Sequence, residues 1–227
     1  IYIHGDAKIT NCHGKYSNIS ADMALEYNQL VISFDYENYN DLKLLDLYSK
    51  FYETFKYIYL ELLENGITEE KITLIGDSTG TNAVNYLLNN MVKDNIKISK
   101  QILFYPLVSG EYFGKSKFSS LQEEHITDKE LLKKVSNYFS TKTKYKKDLK
   151  DENIFALLKK DFSNYPETLI ICGNGDIFLE EAKKLSELLQ EKSTLVEIPF
   201  AFHGFLKNND VDMIKDFQNK IKEFLMK

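Results

Sequence analysis

The sequence predicts an α/β protein with a mostly parallel sheet flanked by helices. Three observations carry that prediction. Six short runs rich in β-branched and aromatic residues, at positions 1–3, 30–34, 72–75, 102–105, 168–172 and 194–198, are separated by longer stretches of helical character. Consecutive βαβ units produce alternation of this kind. The runs are almost continuously apolar, as strands covered on both faces must be. The stretches between them repeat apolar residues at steps of three and four, the period of a helix with one buried face.

The chain opens on the first run, Ile1-Tyr2-Ile3, which ends at His4-Gly5. After the second run, Leu44, Leu47, Phe51, Phe55, Ile58 and Leu62 mark one face of a long helix, and Asn65-Gly66 stops it. The third run leads into Gly76 and a helical stretch over 81–91. Residues 109–165 break the alternation: they hold many lysines, no convincing strand and one good helix near 128–139. Thr127 and Glu130 form a capping box for that helix. An insertion of this length is either a lid over a pocket, for which Tyr112, Phe113, Phe118, Leu121 and Phe139 supply apolar surface, or a solvated helical excursion. After the last run, Ile214, Phe217, Ile221 and Phe224 repeat the helical stripe to the C-terminus. The expected organisation is one domain over 1–227 with the insertion 109–165 within it.

Composition narrows the function classes. The 227 residues are 43% apolar and 28% charged, the balance of a globular chain and not of a disordered or disulfide-stapled one. The net charge is −5 and every cationic residue is lysine, so nothing here attracts nucleic acid or an anionic membrane. Cys12 and Cys172 lie far apart in unlike contexts, which points to a reducing cytoplasm. No apolar run approaches the ~20 residues of a transmembrane segment. The scattered histidines and cysteines give no metal-ligand spacing.

The sharpest local signal is Gly76-Asp77-Ser78-Thr79-Gly80, between a strand and a helix. Small residues flank a serine in this way where a tight strand-to-helix turn holds its hydroxyl out towards substrate. Such a hydroxyl needs an adjacent base, itself held by a third group. Of four histidines, His203 lies on a loop just past the last run, and His4 ends the first; His13 and His125 stand in polar surroundings, where a solvated imidazole is the simpler reading. Asp176 follows the fifth run in Gly173-Asn174-Gly175-Asp176. Ser78, Asp176 and His203 thus each follow the C-terminal end of a strand, where open α/β sheets build their sites. Gly173-Asn174-Gly175 is not a dinucleotide-binding turn, because its third glycine would fall at Phe178.

Longer segments reinforce these positions. Residues 1–7 read as a strand ending in a His-Gly turn, 76–80 as Gly-Asp-Ser-Thr-Gly, and Tyr105-Pro106 follows the next strand. Pro166 and residues 167–171 lead to Gly173 and Asp176, and 199–205 read Pro-x-x-x-His-Gly-Phe. Together they resemble the hormone-sensitive-lipase-like branch of the α/β-hydrolases, which holds acetyl esterases and related carboxylesterases. The resemblance implies an α/β-hydrolase fold lacking its first two strands and N-terminal cap. It implies a Ser78 nucleophile, a His203 base and acid, and an Asp176 that orients the imidazole. The oxyanion donors would be the backbone N–H groups of Asp6, Ala7 and Thr79. The implied reaction is hydrolysis of a small or short-acyl carboxylic ester through an acyl-enzyme, without metal or organic cofactor.

The chain departs from the branch in two places. The branch's His-Gly-Gly-Gly reads His4-Gly5-Asp6-Ala7, and its Tyr-Arg-Leu-Ala-Pro-Glu reads Tyr36-Glu37-Asn38-Tyr39-Asn40-Asp41. Two rival functions therefore stand: a small-amide hydrolase or peptidase on the same three residues, or a non-catalytic binding protein that keeps the fold.

Overall fold

The computed structural model of the chain describes residues 1–5, 15–34, 42–110, 126–142, 149–207 and 211–226. Five strands, β1 (Tyr2–Ile3), β2 (Thr73–Asp77), β3 (Lys100–Phe104), β4 (Glu167–Gly173) and β5 (Ser193–Ile198), form one parallel sheet in chain order. Ile75, Ile102 and Leu169 stand side by side across its middle. β4 is buried over six consecutive residues, as its Thr-Leu-Ile-Ile-Cys-Gly run requires. β5 differs: among the described residues it pairs on one side only, with β4, and Leu195 and Val196 stay partly exposed. The expectation of two covered faces therefore fails at this edge.

Residues 30–34, expected as a strand, touch the sheet through a single parallel bridge between Ser33 and Tyr2. Tyr2 N–H donates to the Ile32 carbonyl at 2.8 Å and Phe34 N–H to the Tyr2 carbonyl at 3.1 Å. With β1 only two residues long, no longer ladder can form; Leu30 is accordingly 69% exposed.

The helices are α1 (Lys15–Tyr27), α2 (Leu44–Glu64), α3 (Gly80–Met91), α4 (Ile126–Lys142), α5 (Leu179–Leu189) and α6 (Val211–Met226). α2 buries Leu44, Leu47, Phe51 and Phe55 as its spacing predicts, but then Tyr59 and not Ile58 or Leu62, with Tyr48 also inside. A tyrosine can bury its ring and keep its hydroxyl bonded, as Tyr59 does to Glu69. Gly66 ends the helix at φ 81, the left-handed angle that glycine takes without penalty. α4 opens at Ile126, one residue ahead of the expected cap Thr127, and runs beyond the expected end to Lys142. Among the described side chains of α1, Ile19 and Met23 are buried in the core and Tyr27 packs partly buried against it, too sparse a stripe to read as an amphipathic helix.

One aromatic cluster ties the sheet to the C-terminal helix. Phe104, at the end of β3, meets Phe205 and Phe217 edge-on at 6.4 and 6.0 Å, and all three are buried. Each such ring contributes roughly 1.5–3 kcal/mol by leaving water. Phe205 lies two residues beyond His203, so the cluster also fixes one end of the histidine's loop.

Candidate active site

β2 delivers Ser78 to the C-terminal edge of the sheet, and α3 starts two residues later. Ser78 holds φ 50, a left-handed angle disfavoured for a side-chain-bearing residue. The strain, roughly 1–3 kcal/mol, is held by bonds on both sides. Ser78 N–H donates to the Phe104 carbonyl at 3.0 Å, and Thr81 donates to the Ser78 carbonyl from its N–H at 3.1 Å and its hydroxyl at 2.6 Å. The turn is tight enough to demand glycine at its exit: a Cβ on Gly80 would sit 2.2 Å from the Ile3 carbonyl oxygen.

The other two candidates converge on this serine. Ser78 Oγ lies 2.8 Å from His203 Nε2. His203 Nδ1 lies 3.0 Å from Asp176 Oδ2 and 3.2 Å from Oδ1. The Asp176 side chain is fully buried and that of His203 is 8% exposed. Tyr105 and Phe178 meet the imidazole edge-on at 4.9 and 5.0 Å, which restricts its rotation. The loops carrying Asp176 and His203 are stitched together by three hydrogen bonds: Asn174 N–H to the Ile198 carbonyl, Gly175 N–H to the Ala201 carbonyl, and Phe200 N–H to Asn174 Oδ1. Gly173 permits the approach, since a Cβ there would lie 2.1 Å from the Ala201 oxygen. The glycine-rich turn Gly173-Asn174-Gly175 is the seat of the histidine loop.

A family model described as alpha/beta hydrolase fold matches residues 1–207. The chain belongs to the alpha/beta hydrolase fold family. Among curated proteins nothing matches it. Three similar solved structures illustrate the likeness. An arylesterase is 18% identical over 99% of this chain and 73% of its own, with TM-score 0.81. An esterase of the archaeon Pyrobaculum calidifontis is 19% identical over 99% and 72%, with TM-score 0.80. A thermostable carboxylesterase cloned from a metagenomic library is 19% identical over 99% and 77%, with TM-score 0.82. At these identities the likeness is one of fold.

In this alpha/beta hydrolase fold protein, Thr79 stands at the N-terminal end of α3, directly after Ser78. Asp6 and Ala7, the other expected oxyanion donors, lie outside the described residues, as do Cys12, His13, His125, Tyr36 to Asp41 and the apolar residues Tyr112, Phe113, Phe118 and Leu121 of the expected lid. His4 is buried at the end of β1 with Nδ1 3.3 Å from the Gly5 carbonyl. Cys172 is a buried free thiol in β4, and burial pushes its pKa up. Among the described residues no three His, Cys, Asp or Glu side chains gather as a metal site requires, and no helix is long and apolar enough to cross a membrane.

Asp77 has a place that motif reading passed over. Its buried carboxylate accepts the Tyr2 hydroxyl at 2.7 Å, the Gly5 N–H at 2.8 Å and the Tyr105 hydroxyl at 3.1 Å. It therefore pins the end of the β1 strand to the elbow. The signal in the sequence was an acid between a buried strand and a buried serine, since a carboxylate so placed must find donors.

Glu181, in the first turn of α5, is likewise fully buried, and its Oε2 accepts the N–H groups of Val108 at 2.8 Å and Ser109 at 3.0 Å. Burial pushes its carboxyl well above the usual range; the two hydrogen bonds pull it down only in part, and the Asp176 charge adds to the rise. The folded protein thus keeps a proton that the unfolded chain releases, so this group's contribution to stability falls as pH rises above the unfolded value of 4.5. Relative to Glu181→Gln, which cannot titrate, the native protein should lose up to about 1.4 kcal/mol per pH unit within that window. Urea unfolding of both proteins between about pH 5 and 8 measures this. Parallel stability curves would mean that Glu181 is ionised in the fold.

Proposed function

We propose that this chain is a serine esterase that hydrolyses small, short-acyl carboxylic esters through an acyl-enzyme on Ser78. One observation supports the reading most: an unbroken line of hydrogen-bond contacts from Ser78 Oγ to His203 Nε2 at 2.8 Å, and from His203 Nδ1 to Asp176 Oδ2 at 3.0 Å. In the forward step Ser78 Oγ bonds to the ester carbonyl carbon while its proton passes to His203 Nε2. Asp176 keeps the imidazole oriented and offsets its charge. The tetrahedral oxyanion is met by backbone N–H groups, which we assign to Thr79, Asp6 and Ala7; one such donor is worth about 10²–10³ in rate. As the carbonyl re-forms, the C–O bond to the alcohol breaks and the leaving alkoxide takes the proton from His203. Water then repeats the sequence, delivering the acid and restoring Ser78.

The esterase names of the solved structures favour ester over amide substrates. The test is a panel of short- and long-chain nitrophenyl esters beside aryl-amides. Short esters should be cleaved fastest, with kcat/KM falling as the chain lengthens. An anilide cleaved faster than every ester would assign an amide hydrolase. No turnover, together with no labelling by a fluorophosphonate, would leave a binding protein on this fold. A reducing, cytoplasmic setting accords with the buried Cys172 thiol.

We assign the insertion 109–165 to covering the site. Its described parts are fastened to the body at several places, among them the following two. Lys43 Nζ donates to the Thr141 carbonyl at 2.6 Å and Lys142 Nζ to the Leu42 carbonyl at 3.3 Å, so the end of α4 clasps the start of α2. Asn82 and Asn85 of α3 donate to carbonyls of Glu152, Asn153 and Ile154. Hydrogen exchange should slow over 109–165 once a covalent inhibitor occupies Ser78. Unchanged exchange there would mark the segment as a plain surface excursion.

A further inference from the structure

Besides its contact with Ser78, His203 is held by two separate elements. The turn entering α5 supplies the Asp176 carboxylate at Nδ1 and the edge-on ring of Phe178. The peptide leaving β3 supplies the edge-on ring of Tyr105, which holds φ 34. That peptide is buried through Gly110 yet belongs to no strand, so its backbone polar groups must find partners elsewhere. Leu107 N–H donates to Thr81 Oγ1 at 3.2 Å and the Leu107 carbonyl accepts Asn82 Nδ2 at 2.7 Å. The Val108 carbonyl accepts the Leu157 N–H at 3.0 Å. The N–H groups of Val108 and Ser109 both go to Glu181 Oε2.

Glu181 is therefore the link between the two elements. It lies five residues beyond Asp176 on the same turn-and-helix, and its carboxyl grips the backbone three and four residues beyond Tyr105. We propose that Glu181 is a positioning residue of the active site, fixing the Asp176–Phe178 turn and the Tyr105 peptide in the register that presents both to His203. The proposal rests on the reading of Ser78, His203 and Asp176 as the reacting constellation. A carboxyl is an expensive way to fill a core. Glu181 Oε1 is buried with no hydrogen-bond partner, and the charged group that faces the carboxyl, Asp176, repels its ionised form. An apolar residue would fill the same space without those costs but could not accept two N–H groups. The geometric demand is strict, because misplacing a reacting group by about 1 Å can cost on the order of 10²-fold in rate.

Glu181→Leu removes the acceptor, and Glu181→Gln keeps a carbonyl oxygen able to take both N–H groups. Glu181→Leu should lower kcat by about 10–100-fold with KM within about threefold, and Glu181→Gln should recover most of that loss. Proton NMR supplies a readout independent of turnover: the strongly downfield proton shared between His203 Nδ1 and Asp176 should broaden or vanish in Glu181→Leu and persist in Glu181→Gln. A folded Glu181→Leu protein with lowered Tm but full kcat and an intact downfield proton would overturn the proposal. If that variant does not fold, Glu181→Asp, which withdraws the carboxyl by one methylene, is read in the same way, and an unchanged kcat and downfield proton overturn it. Wild-type protein that shows the proton but turns over no ester counts against the esterase reading alone; the proton in the variant then decides the role of Glu181.

Discussion

On the proposed role of Ser78, replacing it with alanine should abolish labelling by a fluorophosphonate and lower kcat by on the order of 10⁶, because nucleophile and base act as a unit. Any residual rate should then be that of the proposed oxyanion donors and substrate binding alone. Circular dichroism and the urea midpoint should stay close to those of the parent, since the hydroxyl's bond is to the His203 imidazole and not to the sheet or helix backbone. Glycine at the same position makes a sharper control. It should abolish labelling equally but be more stable than the alanine variant by about 1 kcal/mol, because it takes φ 50 without a Cβ penalty. Labelling that persisted in either variant would move the nucleophile elsewhere in the chain.

Asp77 carries the second large expectation, one of stability. Asp77→Leu takes the acceptor from three buried donors at once, Tyr2 Oη, Gly5 N–H and Tyr105 Oη. At roughly 1–3 kcal/mol for each, a total loss of about 3–9 kcal/mol would remove much of the stability of a domain this size. Asp77→Asn keeps an oxygen for Tyr2 and Gly5, and the Tyr105 hydroxyl can turn to accept from the new amide. It should cost no more than about 1–2 kcal/mol. Urea unfolding of the two variants side by side separates these outcomes. A leucine variant within about 1 kcal/mol of the parent would show that the carboxylate does not hold this junction together.

The contrast between Ser78 and Asp77, adjacent in the chain, shows what kind of information each level holds. Ser78 stands out in the sequence as a candidate because the elbow pattern is a local object: strand, small residues, serine, helix, all within about ten positions. Asp176 and His203 were legible for a similar reason, each following its own strand on a short loop. The helix stop at Gly66 and the helix near 128–139 likewise depend on neighbours in sequence. Asp77 looked like filler within the same motif, because its donors come from positions 2, 5 and 105.

By itself, then, the sequence determined the periodicities, and through them the α/β class, most of the strands, the long helices and the three candidate residues in their order. Tertiary structure decided which of those expectations had partners. Residues 30–34 have strand composition but meet a neighbour only two residues long, so one bridge forms. α2 turns Tyr48 and Tyr59 inward because their environment is set by packed neighbours and not by helix period alone. Glu181 looks like one acid among several on an amphipathic helix until the peptide leaving β3 is laid against it. The physical reason is common to all of these cases. Backbone propensity and turn chemistry act between near neighbours and are written in local order, whereas a buried polar group is defined by its partner. Here the partners lie tens of residues away, 72 and 73 positions in the case of Glu181, and only folding brings them within hydrogen-bond reach.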